Sequence, residues 1–242
     1  MRIIHLAETT STNDFLLDYE PQEDITIAWT GFQTDGRGQS GAWLSDAGKN
    51  LLFSILLTPA CLTAGEGFIL SQANAVALRD TLREYMADVW IKWPNDIYAN
   101  GRKIAGTLIE NQLSGKMVSR SVIGTGININ QEIFPEGLAA PATSIASETG
   151  ATTAPEEVLN RFAGHFANYY GHIREGRYDD IRNQYHQSLY LRGQEHTFTD
   201  KEGNFTGVIL GVESDGRLIV SDGSGSERRY AFKEIKLLHG HS

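Results

Sequence analysis

Lys92-Trp93-Pro94-Asn95-Asp96, followed closely by Gly101-Arg102-Lys103-Ile104-Ala105-Gly106, predicts a tight reversal between strands. Proline lacks a backbone donor and favours an extended residue before it, so a strand over 89–91 is expected to end here. Asparagine, aspartate and glycine then supply turn conformations. Polar side chains at strand ends often carry chemistry, although a hairpin flanked by basic residues is also common. The stretch is therefore either a plain turn or part of a site.

Length and composition limit the class of protein. The 242 residues, 40% of them hydrophobic, can bury a full core as one large domain or as one domain with a small appendage. The net charge of -9 comes without a basic run, so nucleic-acid binding is not predicted. The chain has no apolar run of membrane-spanning length and no export signal, which predicts a cytoplasmic protein without a membrane partner. Cys61 is the single cysteine of the sequence, so no internal disulfide can form, and it is expected to be buried rather than nucleophilic.

Strand and helix patterns are mixed along most of the chain. Apolar runs and alternating segments predict strands over 1–6, 24–29, 51–57, 89–92, 103–112 and 117–128. Helical spacing predicts helices that open near residue 12 and cover 66–86, 153–170 and 178–189. Thr153 and Glu156 predict a capping box at the third of these, with Pro155 in its first turn. The mixture predicts an α+β core with a mixed, mostly antiparallel sheet.

The chain changes character near residue 190. From there on, short strands are separated by turn-forming segments at 200–204, 214–216 and 222–225, which predicts a small β-barrel of roughly 50 residues. We therefore expect two domains, a catalytic domain over 1–189 and a small C-terminal domain over 190–242.

A glycine-rich loop from Gln33 to Trp43 is a second candidate site. Its glycines allow backbone N–H groups to converge on an anion, and Arg37 adds a permanent positive charge suited to phosphate or carboxylate. Glycine-rich hairpins use the same residues, so an ordinary turn is the alternative. Trp43 belongs either to the core or to a lid that stacks on a planar ligand.

Together these motifs resemble biotin protein ligases. Five of them occur in the order seen in that family: Ser11-Thr12-Asn13, Gly36-Arg37-Gly38 in a loop ending at Trp43, Lys92-Trp93-Pro94-Asn95-Asp96, Gly101-Arg102-Lys103-Ile104-Ala105-Gly106 and Gly124-Thr125-Gly126-Ile127-Asn128. The resemblance covers nearly the whole chain. It implies the class II synthetase and lipoate-ligase type of mixed sheet with helices, followed by a small SH3-like C-terminal barrel. Because no room for a winged helix-turn-helix precedes Ile3, the form without a DNA-binding domain is expected.

The resemblance implies an ATP-dependent ligase. Enzymes of this family join biotin to AMP with MgATP, giving biotinyl-5′-AMP and pyrophosphate, and then transfer biotin to one lysine of a biotin carboxyl carrier domain. The implied cofactors are ATP and Mg²⁺, with biotin as substrate, and the implied partners are a carrier domain of a biotin-dependent carboxylase and, as a further option, a second copy of the chain in a homodimer.

The resemblance also implies roles for individual residues. Arg37 and Lys103 are the implied catalytic cations, since the first step must hold two anions together. The implied biotin-binding residues are Ser11, Thr12, Asn13, Gln33, Gly36, Arg37, Lys103 and Gly106. The implied adenylate-binding residues are Arg37, Gly38, Gln39, Trp43, Asn95, Lys103 and Asn128. Asp96 is a candidate Mg²⁺ ligand, although Asn95 and Asp96 could instead orient the incoming lysine, and Asn95 could simply form a turn.

The glycine-rich loop departs from the family pattern. Many relatives carry a second arginine where this chain has Gln39 and another basic or amide residue where it has Ala42, and the segment is one residue short. Loss of a guanidinium contact predicts looser retention of the adenylate. Two rival functions stay open: a lipoate or octanoate ligase of the same fold, and a biotin- or nucleotide-binding regulator without catalysis.

Overall fold

The computed structural model describes residues 1–38, 41–42, 45–59, 61–135, 137–138 and 140–238, with only the backbone described at residues 37, 41 and 42. The helices are α1 (Thr12–Leu17), α2 (Phe68–Arg83), α3 (Ile145–Thr149), α4 (Pro155–Arg174) and α5 (Tyr178–Gln187). The strands are β1 (Arg2–His5), β2 (Ile25–Thr30), β3 (Arg37–Gly38), β4 (Gly41–Ala42), β5 (Leu51–Leu57), β6 (Val89–Lys92), β7 (Asp96–Ala99), β8 (Arg102–Ser114), β9 (Met117–Ile127), β10 (Glu195–Asp200), β11 (Gly203–Val212), β12 (Leu218–Asp222), β13 (Glu227–Tyr230) and β14 (Lys236–Leu237). Within these ranges no helix is long and apolar enough to cross a membrane.

A seven-stranded sheet forms the main core, in the order β1-β2-β5-β9-β8-β7-β6. Only the β1–β2 pair is parallel, and the remaining pairs are antiparallel. Strand β5 is buried at every residue because both of its faces are covered. Leu56 packs with Leu16 of α1 on one face, while Phe53 packs with Phe162 of α4 on the other. The predicted α+β class with a mixed, mostly antiparallel sheet is confirmed.

The C-terminal residues form a separate five-stranded antiparallel sheet, in the order β13-β12-β11-β10-β14. Each of the three predicted turn segments contains a connection between strands, although Asp200, Gly203, Asn204 and Asp222 belong to the strands themselves. In one of them Asp222 Oδ1 accepts hydrogen bonds from the backbone N–H groups of Ser224 and Ser226, at 2.9 and 3.1 Å. This sheet contacts the main sheet at the reversal motif, where Trp93 Nε1 donates to the Gly216 carbonyl at 2.8 Å.

The segment 92–106 contains two reversals rather than one. Asp96, predicted as a turn residue, begins strand β7, which pairs with β6 on one side and β8 on the other. The first reversal covers 93–95 and includes a cis peptide bond before Pro94. The second is made by Asn100 and Gly101, whose φ angles are 47° and 73°. The four-residue β7 went unnoticed in the sequence because turn-forming residues flank it on both sides.

Three other predictions were wrong or incomplete. The Thr153–Glu156 capping box is absent: Ala154 is the residue before α4, and the Thr153 N–H donates to Asn130 Oδ1 at 2.9 Å instead. Cys61 is exposed rather than buried. Helix α3 was not predicted because it is only five residues long; Ser144 caps it with a hydrogen bond from Ser147 N at 3.1 Å.

Candidate active site

A cavity of about 750 Å³ opens between the two sheets. The start of α1 and strands β6 to β9 line one side, and the C-terminal sheet lines the other through residues such as Phe198, Ile209 and Phe232. Ten of the residues predicted from the sequence line this one cavity: Ser11, Thr12, Asn13, Gln33, Gly38, Asn95, Asp96, Lys103, Gly106 and Asn128. The structure therefore brings together segments that are more than a hundred residues apart in the chain.

One end of the cavity is formed by hydroxyl and amide groups at the start of α1. Ser11 precedes the helix, and its Oγ accepts a hydrogen bond from Asp14 N at 3.4 Å. The Thr12 N–H donates to Gln33 Oε1 at 2.7 Å, while Thr12 Oγ1 lies 2.6 Å from Ser54 Oγ. Ser11 and Thr12 therefore lie at the start of the helix and line the cavity at the same time, and their contact with biotin stays a prediction.

Another part of the cavity wall carries an ion pair. Lys103 Nζ lies 2.6 Å from Asp96 Oδ1, and the two side chains are 30% and 25% exposed. Gly106 gives them room, since a Cβ there would lie 3.1 Å from Lys103 Nζ and 3.2 Å from the same Asp96 oxygen. The close contact holds the ammonium group in the cavity wall, where it can meet an anionic ligand.

Two asparagines predicted for the adenylate are engaged with the backbone. Asn128 is buried and donates from Nδ2 to the Thr143 carbonyl at 2.9 Å. Asn95 donates from Nδ2 to the Thr107 carbonyl, and the Thr107 N–H returns a bond to the Asn95 carbonyl at 3.2 Å. Both amides brace the strand ends around Lys103, and both residues line the cavity.

Lys92 is a second lysine in the cavity wall. Its Nζ donates to the Tyr98 hydroxyl at 2.9 Å and lies 4.5 Å from the centre of the Tyr98 ring. Burial lowers the pKa of Lys92, and burial also raises the pKa of Tyr98. Lys92 faces Asp96 across the β6–β7 pair, so Asp96 lies between two lysines.

The glycine-rich loop is only partly described. Arg37 and Gly38 form β3, which pairs with β4 and lies against β8, the strand of Lys103. Gly38 lines the cavity, whereas Gly36 is buried and is not among the described residues that line it. The Arg37 side chain, Gln39 and Trp43 lie outside the described part of the chain.

Several residues of the site were missed in the sequence. The C-terminal sheet contributes Phe232, Lys233 and Lys236 to the cavity wall, and nothing in their local sequence indicates a ligand. Ser54 and Glu110 contact cavity residues without lining the cavity themselves. Ser54 did carry a signal, as the one polar residue in the apolar run Leu51–Leu57.

Comparisons with known proteins agree with this geometry. The sequence model of the biotin/lipoate A/B protein ligase family matches residues 5–128. A biotin–[acetyl-CoA-carboxylase] ligase of Paracoccus denitrificans is 32% identical over 233 residues, which cover 92% of this chain and 95% of that protein. The bifunctional ligase/repressor BirA of Bacillus subtilis is 30% identical over 93% of this chain and 70% of its own length. The Aquifex aeolicus biotin protein ligase solved in complex with biotin and ATP superposes with a TM-score of 0.82 at 26% identity, over 99% of each chain. The chain therefore belongs to the biotin/lipoate A/B protein ligase family, as one of its biotin protein ligases.

Proposed function

We propose that this chain activates biotin with ATP and transfers it to a lysine of a biotin carboxyl carrier domain. The observation that carries the proposal is the single cavity that joins the hydroxyl and amide end at Ser11, Thr12 and Gln33 to the ion pair at Lys103. A ureido ring needs hydrogen-bond partners at one end of its pocket, and a carboxylate needs a cation at the other. The cavity offers both.

Lys103 has the central role in the first step. A biotin carboxylate oxygen attacks the α-phosphorus of ATP, the bond from that phosphorus to the bridging oxygen breaks, and pyrophosphate leaves. Two anions approach each other in this step, so a fixed cation beside them lowers the barrier. The ion pair with Asp96 keeps the Lys103 ammonium in place before the substrates arrive. We propose the same role for Arg37, which lies on the strand facing β8.

Mg²⁺ fits this site as an ion that arrives with ATP. Among the described residues no cluster of three or more histidine, cysteine or carboxylate side chains could hold a metal. Mg²⁺ is commonly held by substrate phosphates together with one or two carboxylates, and Asp96 is a carboxylate in the cavity wall. When bound, the ion would neutralise phosphate charge.

In the second step the carrier lysine nitrogen attacks the carbonyl carbon of biotinyl-5′-AMP, the bond to the phosphate oxygen breaks, and AMP leaves. The chain is acidic overall, so the positive charge that assists this chemistry is local to the site.

The cytoplasmic location, the homodimer and the division into domains at residues 189 and 190 stay predictions.

The test is the transfer of labelled biotin to a purified carboxyl carrier domain, together with biotin-dependent release of pyrophosphate from ATP. Lys103→Ala should slow pyrophosphate release by about a hundredfold or more, because it removes the fixed cation. Lys116→Ala, at an exposed hairpin turn away from the cavity, is the matched control and should react like the wild type. Biotin binding without turnover would instead favour a biotin-binding regulator without catalysis. Activity with lipoate alone would favour a lipoate ligase of the same fold.

A further inference from the structure

A chain of hydrogen bonds leads from the polar end of the cavity into the protein. Thr12 Oγ1 lies 2.6 Å from Ser54 Oγ, and Ser54 Oγ donates to Asn13 Oδ1 at 2.6 Å. Asn13 Nδ2 then donates to Glu110 Oε2, also at 2.6 Å. Thr12, Asn13 and Ser54 are all buried, at 3%, 5% and 0% exposure. Glu110, the last member, is half-buried on β8.

Glu110 fixes the direction of the protons in this hydrogen-bond relay. A carboxylate only accepts hydrogen bonds, so the Asn13 amide nitrogen must face Glu110 and its oxygen must face Ser54. Ser54 then gives its one proton to Asn13, so the 2.6 Å contact between Ser54 and Thr12 takes the proton of Thr12, whose hydroxyl also lies 3.1 Å from Gln33 Oε1. The protons of Thr12 and Ser54 are therefore directed along this series of hydrogen bonds, toward Ser54 and Asn13.

Thr12 and Gln33 are the residues through which this proton arrangement affects a ligand in the cavity. With its proton directed to Ser54, the Thr12 hydroxyl presents lone pairs, which accept hydrogen bonds, to the cavity that it lines. Gln33 Oε1 already accepts from the Thr12 N–H at 2.7 Å. Gln33 also lines the cavity, and its amide nitrogen is the donor that its side chain offers. This end of the cavity thus offers an acceptor beside a donor.

We propose that Glu110, acting through Asn13 and Ser54, is a positioning residue that sets the polarity of the ureido-binding site. The proposal rests on the proposed function, since a ureido group offers N–H donors beside one carbonyl acceptor and so complements this arrangement. Lipoate and octanoate have no such head group, so the polarity also favours biotin over the rival substrates. Neither Ser54 nor Glu110 is among the described residues that line the cavity, so both act on the ligand only through Thr12 and Asn13.

The first test is calorimetric binding of biotin in the absence of ATP. Glu110→Gln keeps the size of the side chain but allows Asn13 to take either orientation, so about fivefold to tenfold weaker binding is expected. Glu195→Gln, on an exposed position of β10, changes the net charge equally and should leave the affinity unchanged. At saturating biotin the maximal rate of pyrophosphate release should stay within about twofold of the wild type, because the reacting end is untouched. Equal affinities of the two variants would overturn the proposal.

A double-mutant cycle separates a relay from a general structural role. Ser54→Ala breaks the relay between Thr12 and Asn13, so Glu110→Gln should have little further effect on biotin affinity in that background. An undiminished effect in the Ser54→Ala background would overturn the proposal, since Glu110 would then act by another route. Failure of the wild-type chain to bind biotin would instead refute the proposed function.

Discussion

Gly124 lines the cavity, and a substitution there offers the sharpest perturbation of the hydrogen bonds around Asn13. A Cβ at this position would lie 2.2 Å from Asn13 Oδ1 and 2.9 Å from Asn13 Cγ. Contacts this short do not occur, so Gly124→Ala must displace the Asn13 side chain. Asn13 is held by two hydrogen bonds of 2.6 Å, from Ser54 and to Glu110, and both must lengthen or break.

The size of the effect follows from these two bonds. Leaving a buried polar group without its partner costs about 1–3 kcal/mol, and a bond to a charged group lies toward the upper end of that range. We therefore expect Gly124→Ala to lower the free energy of unfolding by about 2–4 kcal/mol. Biotin affinity should fall by at least about tenfold, because Thr12 loses the partner that orients its hydroxyl.

Urea unfolding and calorimetric titration with biotin measure the two effects. Gly164→Ala is the matched control, because a Cβ there meets nothing within 4 Å in the described structure and the residue lies inside α4. That variant should be more stable by about 0.5–1 kcal/mol, the ordinary gain from replacing a helical glycine. If Gly124→Ala were as stable as the wild type and bound biotin equally well, the geometry of Asn13 described above would be refuted.

Three further predictions concern the reacting end and the contact between the sheets. Gly106→Ala brings a Cβ to 3.1 Å from Lys103 Nζ, so the ammonium must shift; pyrophosphate release should slow by about tenfold, and an unchanged rate would contradict the tight packing. Burial lowers the pKa of His186, whose Nε2 lies 3.1 Å from Val212 N, so the folded chain binds fewer protons than the unfolded chain. Stability should therefore be full above the ordinary histidine pKa and decline as pH falls below it; His186→Gln should reduce this decline in thermal melts, and an identical decline would speak against the assignment. Trp93→Phe removes the indole N–H that bonds the C-terminal sheet, and urea unfolding should show a loss of about 1 kcal/mol, whereas no loss would mean that the bond contributes nothing.

Local patterns predicted most of the secondary structure. The run Leu51–Leu57 is a strand with the predicted ends, and the serine at position 11 precedes a helix as expected. These predictions succeed because periodicity and capping depend on residues close together in the chain. Strand β7 and helix α3 escaped prediction because four or five residues show too little of a period to outweigh the turn formers around them.

The residues of the site likewise fall into those that local sequence motifs identify and those that they do not. Motif order brought out Lys103, Asp96 and Gly106, which lie in one hairpin and contact one another directly. It did not reveal that the C-terminal sheet supplies part of the cavity wall, since Phe232 and Lys233 reach the cavity only through the packing of the two sheets. A contact of that kind has no local signature and needs the tertiary structure.

The hydrogen-bond relay shows that one kind of sequence signal does indicate a tertiary contact. Ser54 faces Gly124 across the β5–β9 pair, in the middle of a strand that is otherwise entirely apolar. A hydroxyl in that position is costly unless it is hydrogen-bonded, and a glycine opposite it leaves a gap beside the strand. Asn13 fills the gap from α1 and satisfies the hydroxyl. A single polar residue in a buried strand, opposite a glycine, therefore indicates that a side chain from another element enters the sheet there. Here that side chain belongs to the helix that begins the ligand pocket, so the central sheet not only supports the site but also determines which hydrogen bonds the pocket can offer.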